Sequence, residues 1–322
     1  MKIVKSIIIL CAAGICSLTI LCGFTIIYSF SGIHITNPSG ATDYKWTPNQ
    51  LKTTMDEGFA WMKMDSFGFN NPEKDISKSA DILLMGSSHM EAVNIPQNEN
   101  VVAQLMSIIP ELSVYNIGIS GHTIYTCAKN MSNAVSEYNT SEYVILETDN
   151  VMLDDNKMLE VINGDLSTIP SYNSGILYYI QKYIPAIKTI YKKVEDWRSS
   201  EKRGVVENTH ENYSDEAILS QFLEKMKHDC GDRKLIIFYH PITQIDENGK
   251  LLNTSYGVDA FSSTCKANNI IFVDMTEDFQ KLYEEQHIFA HGFINTAVGT
   301  GHLNKYGHRI IAERLAKVIM ED

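Results

Sequence analysis

The chain has 322 residues, 44% apolar and 20% charged, a globular composition that excludes wholesale disorder. Its formal charge is −12, with 27 Lys and Arg against 39 Asp and Glu. An acidic chain with no basic stripe and no aromatic–basic alternation repels phosphate backbones, which argues against nucleic acid as a partner.

Met1–Lys5 carries two lysines, and Ile7–Tyr28 is then an uncharged, mostly apolar run. At about 1.5 Å per residue these roughly 22 residues reach about 33 Å, enough to cross a bilayer core. A cleaved signal peptide has a shorter apolar core and a small-residue cleavage site, and neither is found here. Leu21 and Ile15 precede Cys22 and Cys16, where a lipoprotein signal wants a small residue. The lysines stay in the cytoplasm. The expectation is a single-pass signal anchor through residues 7–28 with the C-terminal domain extracytoplasmic; a cleaved, secreted form is the alternative. Cys127, Cys230 and Cys265 lie beyond the anchor without metal-ligand spacing, and they read as buried small hydrophobes or as one disulfide plus a free thiol.

Residues 31–78 are polar with scattered aromatics such as Trp46 and Trp61, and are read as linker and lead-in. Ala80–Met85 is a short apolar run ending at Gly86. Val101–Ile109 is helical and stops at Pro110. Leu112–Ile117 is a strand, His122–Tyr138 a helix and Tyr143–Leu146 a strand. Residues 151–213 interrupt the alternation with Tyr178, Tyr179, Tyr183 and Tyr191, and are read as an inserted helical cap. Helix Glu216–His228, strand Lys234–Tyr239, helix Val258–Asn268, strand Ile270–Val273 and helix Lys305–Met320 complete the chain. Short, uniformly apolar strands between longer helices predict an α/β domain over 79–322, with a parallel sheet covered on both faces.

In such sheets ligands bind beyond the carboxyl ends of the strands. Three strands end in turns that carry chemistry: Gly86-Ser87-Ser88-His89, Asn116–Thr123 and Glu147-Thr148-Asp149-Asn150. The C-terminal region adds Gly301-His302-Leu303-Asn304 and Gly307-His308. A serine needs a base, histidine has a suitable pKa, and a tetrahedral oxyanion needs donors. Ser88 and His302 fit the first two roles; Ser88 N–H, Gly121 N–H and the Asn150 amide fit the third.

These blocks resemble the SGNH (GDSL-like) hydrolase superfamily over about residues 80–320. Gly86-Ser87-Ser88 stands for the family's Gly-Asp-Ser turn. Asn116–Thr123 stands for its glycine turn, and residues 147–150 loosely for its Gly-x-Asn-Asp turn. His302-Leu303-Asn304 with Gly307-His308 stands for its last block. The resemblance implies a flavodoxin-like three-layer α/β/α sandwich and metal-free ester chemistry with no cofactor. Two departures stand out. Ser87 replaces the family's aspartate, and Gly299 occupies the position three before His302 where the triad aspartate belongs. A Ser–His dyad oriented by a backbone carbonyl or by another carboxylate such as Glu91 is expected, and Gly299→Asp is expected to raise activity.

Other histidines are weighed separately. His287 and His291 are four apart without the Glu of a metalloprotease pattern, so no metal is assigned. His89, His240 and Asn295 are possible substrate-rim residues. The resulting expectation is a membrane-anchored esterase or O-acyltransferase acting on acyl esters, acetyl esters in particular, of extracytoplasmic glycans, with envelope polysaccharide assembly proteins as candidate partners. A catalytically inactive glycan-binding or envelope-assembly subunit is the alternative.

Overall fold

The computed structural model describes residues 2–29, 34–36, 40–54, 57–72, 79–165, 215–241, 244–245, 251–252, 257–296 and 299–322. Helix α1 (Lys2–Ser29) contains the apolar span Ile3–Gly23, with mean hydropathy 2.3 and none of it buried. It is long and apolar enough to cross a membrane, a property that signal anchors and signal peptides share.

Two antiparallel ribbons follow: β1 (His34–Thr36) with β2 (Tyr44–Trp46), and β3 (Leu51–Thr54) with β4 (Ala60–Lys63). This region was expected as linker and lead-in, yet Trp46, Met62, Met64 and Phe69 are buried in the main core. Its strands are short and interleave Lys52 and Thr53 with apolar residues, so they leave no apolar run for a sequence reading to find.

The central sheet is built from β5 (Ile82–Met85), β6 (Val114–Asn116), β7 (Tyr143–Thr148), β8 (Lys234–Tyr239) and β11 (Ile271–Asp274). Its order is β11-β8-β7-β5-β6 and every pairing is parallel. Counted within the sheet this is 2-1-3-4-5, the flavodoxin-like order. A minor ribbon, β9 (Gln244–Ile245) with β10 (Leu251–Leu252), lies outside it.

Strand side chains alternate between faces. Leu83, Val144, Leu235 and Ile237 join one core with α4 (Ile124–Glu137), α6 (Glu216–Cys230) and α7 (Val258–Ala267). Ile82, Leu84, Ile145, Ile236 and Phe238 join the other with α3 (Val101–Ile108), α8 (Thr276–Gln286) and α9 (Lys305–Glu321). The result is a three-layer α/β/α sandwich. Cys127, Cys230 and Cys265 are buried thiols. The short helix α2 (Ser88–Glu91) follows β5, and α5 (Asp155–Asn163) follows β7, capped by Asp154. Residues 166–214, including most of the expected cap and its tyrosines, lie outside the described residues.

Candidate active site

The strand order reverses between β5 and β7, and the crevice beyond their carboxyl ends is where an open α/β sheet presents ligands. Ser88 opens α2 directly after β5. Ser87 caps that helix, its hydroxyl accepting the His89 N–H at 3.2 Å. The turn is held from below: Ser87 N–H donates to Glu147 Oε2 at 2.7 Å, and Glu147 sits at the end of β7.

His302 reaches the same point from the other end of the chain. Its Nε2 lies 2.8 Å from Ser88 Oγ. Asn304, two residues on, caps α9 by accepting the Tyr306 and Gly307 N–H groups, which anchors the histidine loop to the last helix.

The third member was not anticipated. Glu57 Oε2 lies 2.7 Å from His302 Nδ1 and also accepts the His302 backbone N–H at 2.9 Å. Glu57 stands in the connection between β3 and β4, whose last paired residues are Thr54 and Ala60. The next turn residue, Gly58, donates its N–H to Asn295 Oδ1 at 2.7 Å. Gly301 has φ +90°, and a Cβ there would meet Glu57 Oε2 at 2.8 Å, so the glycine leaves room for the carboxylate. The hydrogen bond from His302 is the main force holding the Glu57 carboxyl below its ordinary pKa, against partial burial. Glu57 is therefore ionised near neutrality. It makes Nδ1 the protonated ring nitrogen and leaves Nε2 free to take the Ser88 proton.

This carboxylate fills the role for which Glu91 was a candidate. Glu91 is buried elsewhere, accepting from Trp46 Nε1 and from the Ser120 hydroxyl. Gly299 has φ +71°, and a Cβ there would meet the Phe289 ring at 3.0 Å, so the position is not shaped for an acid. No sequence signal marked Glu57: the family's acid precedes its histidine by three residues, whereas this one lies 245 positions away.

Ser88, His89, Gly121, Asp149, Asn150 and Lys157 line a common cleft of about 460 Å³. Among the described residues the backbone N–H groups of Ser88 and Gly121 donate to no protein acceptor. The Asn150 amide donates to Met152 O at 2.9 Å, committing one of its two N–H groups. Partial desolvation at the cleft, with Glu147 next, raises the carboxyl of the exposed Asp149 above its usual range.

The expected rim residues divide. His89 is on the cleft. Asn295 instead braces the Glu57 turn. His240 is completely buried, its Nε2 2.7 Å from Glu147 Oε1, so it supports the floor rather than facing a substrate. His287 and His291 do not share a helix face, since His287 ends α8 with φ 55° and His291 is buried in a bridge to Leu303.

No protein-family model matches the chain, and no curated protein sequence matches it. Solved structures with a similar fold include a member of the lipolytic G-D-S-L family from Veillonella parvula, at 15% identity and TM-score 0.41 over 75% of this chain and 98% of that one. A lipase/acylhydrolase from Enterococcus faecalis matches at 16% identity and TM-score 0.40, over 74% and 95%. An acetyl xylan esterase matches at 15% identity and TM-score 0.41, over 74% and 98%. Many of the chain's structural neighbours are thus GDSL-like lipases, acylhydrolases and esterases.

Proposed function

We propose that this chain is an SGNH-type serine hydrolase or O-acyltransferase working through a Ser88–His302–Glu57 triad. The observation that carries this is the unbroken chain of contacts from Ser88 Oγ to His302 Nε2 at 2.8 Å and from His302 Nδ1 to Glu57 Oε2 at 2.7 Å. Ser88 Oγ attacks the acyl carbonyl while His302 Nε2 takes its proton. The negative charge on the carbonyl oxygen is met by the Ser88 and Gly121 N–H groups and by the remaining Asn150 N–H. Collapse expels the alcohol, which receives the proton from His302, and leaves an acyl-serine. Water or a second hydroxyl then gives its proton to His302 and attacks the acyl carbon; the bond to Ser88 Oγ breaks, and Oγ takes the proton back from His302 Nε2.

The substrate class proposed is an acyl ester, in particular an acetyl ester, on an extracytoplasmic glycan. The apolar N-terminal helix preceded by lysines supports an outward-facing domain held at the membrane. A cleft where Asp149, Asn150, Asp154 and Lys157 stand beside Ile124, Tyr125, Met152 and Leu153 supports a ligand with both hydroxyl-bearing and apolar faces, as a sugar ring has. Hydrolysis of p-nitrophenyl acetate by the full chain in detergent, compared with Ser88→Ala, tests the chemistry. A loss of about 10³-fold or more is expected; equal rates in the two proteins would refute it.

A further inference from the structure

Next to Ser88, three histidines from separate segments converge: His89 in α2, His240 after β8 and His291 before the histidine loop. Their ring centroids are 4.6 Å (His89–His240), 5.7 Å (His89–His291) and 5.6 Å (His240–His291) apart. Each ring offers a nitrogen within 4.8 Å of the other two. His240 and His291 are 0% and 1% exposed.

The polar accounting here is open. His240 Nδ1 and both ring nitrogens of His291 are buried without a hydrogen-bond partner. Buried polar atoms are rarely left this way, and three within one cluster point to a missing occupant. The orientation of His240 defines what that occupant is. Its Nε2 bonds to Glu147 Oε1, so an ionised Glu147 leaves Nδ1 bearing a lone pair. A carboxylate behind an imidazole, fixing its tautomer and raising its basicity, is the outer shell that histidine ligands carry at metal sites.

We propose that His89, His240 and His291 form a binding site for a divalent transition-metal ion of the zinc class, with Glu147 as the outer-shell partner of His240. All-imidazole donors suit Zn²⁺ and its first-row neighbours, and exclude the oxygen-seeking Ca²⁺ and Mg²⁺. Zn–N bonds of about 2.0–2.1 Å place tetrahedral ligand atoms roughly 3.3 Å apart. The rings therefore close inward by about an ångström on binding. His89 Nδ1 accepts the Leu303 N–H at 3.2 Å, so ligation by His89 Nε2 moves its proton to Nδ1 and gives up that bond. The bound ion would tie the nucleophile turn, the end of β8 and the segment leading to His302 to one point.

The site does not depend on Ser88 acting as a nucleophile, and its test is separate from activity. Full-length protein in detergent is stripped with EDTA, equilibrated with Zn²⁺, freed of excess ion and assayed for bound metal. One equivalent per chain is expected in the wild type and in Ser88→Ala, with a Zn²⁺-dependent rise in Tm. His291→Phe, which removes no protein hydrogen bond, is expected to lose the bound ion and the Tm rise while keeping the wild-type circular dichroism. Co²⁺ in place of Zn²⁺ should give the intense visible bands of a nitrogen-ligated, low-coordinate site in the wild type alone of this pair. Wild-type protein that retains no zinc, or His291→Phe that retains as much as wild type, overturns the proposal.

Discussion

Glu57 Oε2 accepts two hydrogens from His302, one from the ring at Nδ1 and one from the backbone N–H. The pair joins residues 245 positions apart, and it turns the hairpin between the N-terminal helix and the sheet into part of the site. Replacing Glu57 by Gln presents an amide N–H or a neutral carbonyl to Nδ1, which disfavours the tautomer that leaves Nε2 free. Ester hydrolysis should fall about 10²- to 10⁴-fold in kcat with KM little changed. A Glu57→Gln protein with undiminished kcat would remove the acid from the mechanism.

Gly299, beside Thr300, gives the opposite expectation from that of the motif alone. Gly299→Asp places a side chain at positive φ against Phe289, and the acid's position beside His302 is already filled. Activity should fall or stay level, measured as kcat on p-nitrophenyl acetate. Gly301→Ala pushes a methyl group onto the Glu57 carboxylate and should lower kcat more than it lowers Tm. A rise in rate for Gly299→Asp would mean that Glu57 is not the working acid.

Asn295 is a positioning residue, since its Oδ1 holds the Gly58 N–H and so aims the Glu57 turn. Losing one hydrogen bond of about 1 kcal/mol should reduce kcat roughly five-fold in Asn295→Ala. KM should be unaffected, because Asn295 acts on the Glu57 turn, through Gly58, rather than on the substrate. Asn295→Asp, which keeps the acceptor, should recover most of the rate. A change in KM alone would return Asn295 to the substrate rim.

Two histidines outside the proposed metal set give a pH dependence of stability. Burial depresses His122 to about 4 and His308 to about 3. The unfolded chain binds protons at these residues near pH 6.5, whereas the fold refuses them until lower pH. Stability is then level above about pH 6.5 and declines as pH drops below it. By pH 5 the loss is on the order of 1–2 kcal/mol for each. Urea midpoints at pH 7 and pH 5 check this, and His122→Phe should flatten its share of the slope.

The sheet was legible because its strands hold short apolar runs, and those of Ile82–Met85, Tyr143–Thr148 and Lys234–Tyr239 are buried on both faces almost throughout. The serine and histidine were legible because each follows a local pattern tied to a strand end or a helix start. Helix Thr276–Gln286 was not, since its apolar residues Phe279 and Leu282 are outnumbered by charges. The β3–β4 ribbon and Glu57 were not, because a carboxylate supplied from a distant turn leaves no spacing to recognise. The burial of His240 was hidden for a similar reason: its partner Glu147 lies on another strand, and only the parallel register of β7 with β8 brings them together.

The nucleophile itself is open to direct capture. Full-length protein in detergent is treated with a fluorophosphonate, which reacts with an activated serine by losing fluoride and leaving a phosphonyl ester. Peptide mass spectrometry should find one adduct, on Ser88, forming far more slowly in Glu57→Gln and not at all in Ser88→Ala. An unlabelled Ser88 in the wild-type protein, or labelling that ignores the loss of Glu57, would contradict the triad.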